Sequence, residues 1–251
     1  MPRHFAMNSF QGKRVLALVR DGDFAHAGEE EAIERAMVEV PKDPNQCILD
    51  AGCGRGGTAA YMQRNDWGQV TGIDFEAASI AHAQEVYPDL TFVTCNINEV
   101  ALHVDRYFDL ITLFNVLYAL REHAVGLRAL ANRGKSKARL VIFDYVDRGR
   151  YQGTPFLTSG IPFLPNPPRL ADLTKTLETG GWRLQEVREL HDDYERWYAA
   201  LISKIKAKRD TIEGLVGPEV FEHVLGLYDG ILSEIREGRL GGAVIYGEKS
   251  T

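Results

Sequence analysis

Three cysteines in 251 residues, Cys47, Cys53 and Cys95, are too few and too unevenly spaced for a disulfide framework or a zinc site. Long apolar runs are missing as well. None approaches the roughly 18 to 20 residues that span a bilayer, and the run at 15–19 has no small-residue cleavage signature behind it. Excess charge is small: 29 basic against 35 acidic residues leaves −6, which gives no electrostatic reason to expect nucleic acid or an anionic membrane as partner. Tandem repeats and low-complexity tracts are absent. Together these absences predict a cytoplasmic protein in a reduced setting that acts on neither membrane nor nucleic acid and holds no metal. They carry no indication of oligomeric state.

What is present is an alternation of strand and helix. Apolar runs bounded by turn residues lie at 46–50, 69–74, 90–95, 108–114 and 139–144, with helical stretches at 58–64, 76–86 and 116–131 between them. Near-continuous apolar strands alternating with helices predict an α/β fold, a parallel sheet covered on both faces. Residues 148–168 hold five of the ten prolines and read as an irregular loop. A helix over 169–179 then ends at Gly180 and Gly181, and a sixth strand follows at 182–190.

Tyr194, Trp197, Tyr198, Leu201, Ile202 and Ile205 recur at helical spacing, and a second such face runs from Val220 to Ile235 beyond Gly217 and Pro218. A closing strand at 242–246 completes a seven-stranded Rossmann-like sheet. The organisation expected is one domain over 1–251, with an N-terminal helical arm at 1–30 and a helical insertion at 191–238 before the last strand.

The sharpest signal is ILDAGCGRGGT at 48–58. An apolar strand ends in an acid, Asp50, enters a glycine-rich turn and passes into a helix. Gly52, Gly54 and Gly56 let the backbone approach a ligand closely. Asp74, twenty-two residues after Gly52, ends the second strand, where its carboxylate can accept hydrogen bonds from both hydroxyls of a ribose. Gly52, Gly54 and Gly57 also satisfy the dinucleotide pattern G-x-G-x-x-G. Two ligands therefore compete, a nicotinamide or flavin dinucleotide and S-adenosylmethionine. A carboxylate at Asp50 repels a pyrophosphate but complements a sulfonium and an ammonium, which favours the methyl donor.

These residues resemble the class I S-adenosylmethionine-dependent methyltransferases over roughly 45–190 and 241–249. The stretch LDAGCGRG at 49–56 matches that family's first motif, and GID at 72–74 its second. The resemblance implies that Gly52, Cys53 and Gly54 contact the amino-acid part of the cofactor, Asp74 its ribose and Phe75 its adenine. Asn96 and Ile97 fall where the family carries an adenine-binding Asp, and Asn115 falls beside the methionine end. Arm, insertion and the adjacent Asp144 and Tyr145 are similar to the phosphoethanolamine and sarcosine/dimethylglycine N-methyltransferase group. The segment DFAHAG at 23–28 matches that group's cofactor-covering segment loosely. Asn8 and Ala119 stand where the phosphobase enzymes carry a catalytic Tyr and His, and no counterpart of their phosphate-binding basic residues is evident.

The resemblance therefore implies a small-molecule acceptor, with an amine favoured and an oxygen or carbon acceptor, or a non-catalytic cofactor-binding role, as alternatives. Acceptor contacts are expected from Tyr145, Tyr118, Asp144 and His26; no general base is assigned. Tyr194, Trp197 and Tyr198 are expected to pack the insertion onto the sheet. The basic run Lys204, Lys206, Lys208 and Arg209 is expected on a solvated helix face, and His82, His103, His123 and His223 are expected to be solvated.

Overall fold

A computed structural model describes residues 5–151, 157–158 and 161–250; part of the proline-rich 148–168 stretch and the first four residues of the arm lie outside them. Seven strands form one sheet: β1 (Cys47–Ala51), β2 (Gln69–Asp74), β3 (Thr91–Thr94), β4 (Phe108–Phe114), β5 (Gly134–Asp147), β6 (Trp182–Glu189) and β7 (Leu240–Lys249). Their order is β3-β2-β1-β4-β5-β7-β6. The first five are parallel, whereas β7 runs antiparallel between β5 and β6. The strand order reverses between β1 and β4, and an open α/β sheet leaves a crevice at such a reversal, beyond the carboxyl ends of the strands.

The helices are α1 (Phe10–Arg20), α2 (Glu29–Met37), α3 (Gly57–Arg64), α4 (Ala77–Val86), α5 (Val100–His103), α6 (His123–Ala131), α7 (Leu173–Thr179), α8 (His191–Ala207), α9 (Arg209–Val216) and α10 (Pro218–Arg236). Strand alternation sorts them into two layers. On β5, Val141, Phe143 and Tyr145 join the core under α1, α2, α8 and α10, while Leu140 and Ile142 join the core under α6 and α7. Gly242 makes room for the first layer: a Cβ there would lie 2.0 Å from the ring of Tyr194.

Three elements depart from the sequence expectation. The helix expected over 116–131 is a 3-10 turn at Leu117–Ala119 followed by α6, because the backbone N–H groups of Val116, Leu117 and Tyr118 donate to Asp144 Oδ2 at 2.9, 2.6 and 3.3 Å instead of entering a helix. The fifth strand is longer than expected, since β7 pairs with it continuously from Arg139 to Asp147. The insertion holds three helices rather than two, with a break at Lys208.

Arm and insertion are joined by ion pairs. The basic run is not simply solvated: Lys204 pairs with Glu29 at 3.5 Å, and Lys208 with Asp21 and, at 2.6 Å, the Leu18 carbonyl. Arg196 and Trp197 converge on Glu31, and the Arg196 and Trp197 hydrogen bonds hold that carboxyl at about 2. Among the described residues, no helix is long and apolar enough to cross a membrane.

Candidate active site

A cavity of about 410 Å³ opens at the crevice, within the size range of small-ligand sites. Its floor is made by the ends of the first five strands. Gly52 and Gly54 follow β1, Asp74 and Phe75 follow β2, and Cys95 to Asn98 follow β3. Phe114 ends β4, Asn115, Val116 and Tyr118 to Arg121 follow it, and Tyr145 lies on β5. Lys13, Leu16, Arg20 and Ala25 from the arm, with Tyr228 from α10, close the other side.

The glycine turn is shaped for a ligand. Gly52 sits at φ +81°, and a Cβ there would meet Val116 at 2.4 Å; Gly54, at φ +54°, faces open space bounded by Lys13 and Ala25 at about 4 Å. Both conformations favour glycine. Asp74 is held firmly: Gly54 N–H donates to Oδ2 and Glu76 N–H to Oδ1, each at 2.9 Å. The Lys13 ammonium lies 3.3 Å from Asp74 and 3.2 Å from Glu76. The 23–28 segment is tied to the same turn, with Asp23 accepting from Arg55 at 2.6 Å, His82 at 2.9 Å and Tyr87 at 3.1 Å. His82 is thus a partner of the arm rather than a solvated residue, and His123 likewise contacts the Asn166 carbonyl at 2.9 Å.

Of the residues expected to touch the cofactor, Gly52, Gly54, Asp74, Phe75, Asn96, Ile97 and Asn115 line the cavity. Phe75 is two-thirds exposed, an apolar ring left open at the mouth. Asn96 Oδ1 already accepts from Asn98 N–H at 2.9 Å, leaving one lone pair for a ligand. Asn115 takes a left-handed conformation at φ +54°, unusual for a residue with a side chain; Tyr194 Oη donates to its Oδ1 at 3.4 Å.

Asp50 and Cys53, also expected at the cofactor, are not among the residues lining the cavity. Asp50 lies behind the turn, accepting from Thr112 at 3.0 Å with its other oxygen buried and unpartnered. Burial, opposed by that hydrogen bond and reinforced by the Asp74 charge, pushes it up to about 7. The Cys53 side chain turns inward toward Gly72 and Phe92, and burial raises its thiol well above the usual range.

Tyr145 and Tyr118 line the cavity edge to face, with ring centroids 5.3 Å apart. Asp144 and His26 do not line it, for two reasons. Successive strand residues face opposite sides of a sheet, so beside Tyr145 the Asp144 carboxyl points away and holds the 116–118 turn. His26 is buried among Phe24, Phe114 and Phe143. Its Nε2 lies 3.0 Å from Thr58 Oγ1, and burial keeps the ring neutral, with a pKa of about 3. Tyr194 and Trp197 pack on Phe143. Lys13, Arg20 and Tyr228 were not foreseen. The signal was present for the first two: at helical spacing both cations share a face with Leu16.

Comparison with known proteins agrees with this architecture. Residues 48–145 match the family described as a methyltransferase domain. A putative methyltransferase of Invertebrate iridescent virus 6 is 25% identical over 130 residues, covering 51% of this chain and 46% of that protein. The chain thus spans less than half the length of the curated relatives it matches.

Among solved structures, phosphoethanolamine N-methyltransferase 2 of Haemonchus contortus, in complex with phosphomonomethylethanolamine and S-adenosylhomocysteine, superposes with a TM-score of 0.83. That match has 14% identity and covers 100% of this chain and 62% of that one. A putative sarcosine dimethylglycine methyltransferase from Galdieria sulphuraria gives 0.76 at 17% identity, covering 87% and 82%. At such identities the likeness is one of fold. Residues 48–145 thus match a methyltransferase-domain family, and the seven-stranded sheet around them has the fold of the solved methyltransferases on which it superposes.

Proposed function

We propose that this protein transfers a methyl group from S-adenosylmethionine to a small acceptor held in the cavity, with an amine nitrogen as the favoured acceptor atom. The observation that carries the reading is the convergence on one cavity of a side-chain-free glycine turn, a carboxylate fixed at the end of β2, and an aromatic wall. Gly52 and Gly54 would admit the amino-acid part of the donor, Asp74 would accept from its ribose hydroxyls, and Phe75 and Ile97 would flank its adenine. Asp50, behind the turn, would act through its field rather than by contact.

When bound, the sulfonium supplies an activated methyl carbon: the acceptor lone pair forms the new bond to carbon, and the carbon–sulfur electron pair stays on sulfur. The chain's share is positioning and exclusion of water. Holding the reacting atoms in line at about 3 to 3.5 Å accounts for most of the acceleration such a reaction needs, and arm and insertion cover the site. Among the described residues lining the cavity there is no histidine, and the Asp74 carboxylate is occupied by Lys13. Burial pushes the Tyr118 and Tyr145 phenols above their ordinary range, so they serve as hydrogen-bond donors rather than bases. An acceptor entering with a free lone pair suits this lining. Tyr118, Tyr145 and Phe163 could also stabilise the positive charge that grows on nitrogen, by about 0.5 to 2 kcal/mol.

Calorimetry with S-adenosylhomocysteine and NADH tests the donor; tighter NADH binding overturns the reading. Turnover of labelled S-adenosylmethionine with separate amine and hydroxyl acceptor libraries tests the acceptor atom, and label found only on oxygen overturns the amine assignment.

A further inference from the structure

Arg20, at the end of α1, carries a charge that meets the Tyr228 hydroxyl but no carboxylate among the described residues. Its side chain lines the cavity and is 4% exposed, and its Nε and Nη1 are buried with no hydrogen-bond partner. Among the described residues no carboxylate pairs with it. The groups that feel its charge are neutral. Tyr228 is raised by burial to about 12 against the pull of the guanidinium, and Tyr198 and Tyr194 are pulled in the same direction. His26 is held neutral by burial and then by Arg20 itself. A guanidinium cannot shed its proton to escape burial, and an uncompensated buried charge costs stability. Lys13, two turns earlier on the same helix face and in the same cavity, shows the contrast, since the fold gives it both Asp74 and Glu76.

We infer that the missing partner arrives with the substrate: the methyl acceptor carries a carboxylate, and Arg20 binds it, with the Tyr228 hydroxyl beside it. The inference rests on the methyl-transfer reading for the identity of the cavity's second occupant. Charge balance selects a carboxylate over a phosphate. One guanidinium matches one negative charge, Lys13 is already taken, and Arg121 stands exposed at the rim. Planar, bidentate geometry is also what a guanidinium offers best. The acceptor is then an amino or other carboxylic acid, methylated at an atom away from the clamped group.

The test uses the full chain saturated with S-adenosylhomocysteine. N-methylglycine, β-alanine and succinate are titrated by calorimetry, each against its amide, with methyl phosphate as the phosphate arm. At least one carboxylate should bind ten- to a hundredfold more tightly than its amide, the scale of a charge-assisted hydrogen bond. Arg20→Met should abolish that preference, and Arg20→Lys should restore part of it. In the ligand-free protein Arg20→Met should raise the melting temperature, because an apolar side chain replaces an unpaired buried cation; a purely structural arginine would give a fall.

The inference is overturned if no carboxylate outbinds its amide, if the preference survives Arg20→Met, if methyl phosphate binds best, or if Arg20→Met lowers the melting temperature. Failure of the wild-type protein to bind S-adenosylhomocysteine would instead strike the parent reading. The melting temperatures and carboxylate titrations of the ligand-free protein would still decide the role of Arg20.

Discussion

At one end of the cavity, Gly52, Gly54, Asp74, Phe75 and Ile97 come from three strand ends lying close together in the chain, and they offer bare backbone at the two glycines and side chains set by the turns that follow β1, β2 and β3. At the other end, Arg20, Tyr118, Tyr145 and Tyr228 come from the arm, the β4 and β5 strand ends and the insertion, and they offer side chains. The first end is held by hydrogen bonds to fixed main-chain groups, such as Gly54 and Glu76 N–H to Asp74. The second end depends on helices packing onto the sheet. A local turn can present the same shape to a donor whatever the rest of the chain does, whereas the acceptor's surroundings are set by how distant elements dock.

Substitutions that strike one end and spare the other test this division. The largest effect should come from Gly242→Val. Its side chain would collide with the Tyr194 ring, and overpacking at a point with no room to give costs about 3 kcal/mol. The midpoint of urea unfolding should fall accordingly, while S-adenosylhomocysteine affinity of the folded fraction stays close to wild type. A parallel loss of affinity would show that the two ends are not independent.

Asp74→Ala works in the opposite sense. On the proposed reading it would remove two ribose hydrogen bonds, and it should weaken S-adenosylhomocysteine binding by about 1.5 to 3 kcal/mol in calorimetry, with the fold intact by circular dichroism. Unchanged affinity would mean that the ribose lies elsewhere.

A third experiment varies pH. Asp50 and Asp144 have folded pKa values of about 7, raised by burial from 3.8. Between about pH 4 and 7 these two carboxyls therefore hold more protons in the native chain than in the unfolded one, so the stability they contribute is greatest below that window and falls as pH rises through it. His26, kept neutral in the fold, works in the opposite sense. Asp50→Asn should flatten the slope of unfolding free energy against pH over this range; a slope identical to wild type would exclude Asp50 as its source. The smallest effect should be at the boundary between the two ends. Asn115→Gly relieves a left-handed backbone but loosens the unfolded chain, so the unfolding free energy should move by less than about 1 kcal/mol.

The sequence was most readable where short-range chemistry dominates. Glycines between an acid-ending strand and a helix announce a ligand turn, and Asp74 follows at the right interval on the next strand. Asp144 and Tyr145 were readable as neighbours but not as opposites, because which side of β5 faces the cavity depends on the register with β4 and β7. In the sequence His26 is an acceptor contact within a segment that covers the cofactor, yet the rings of Phe24, Phe114 and Phe143 enclose it. Arg20 is a hydrophilic letter at the end of a helix until α1, α8 and α10 close around it.

Local periodicity and turn chemistry were enough to specify the alternating strands, the glycine turn and the amphipathic insertion, since each depends on residues within a few positions of one another. The placement of β7 between β5 and β6, the facing of Asp144 away from the cavity, and the burial inside it of a guanidinium with no carboxylate partner among the described residues were decided by packing. Each arises from contacts between segments far apart in the chain, where the energy of burial is shared among many side chains and no single stretch records the outcome.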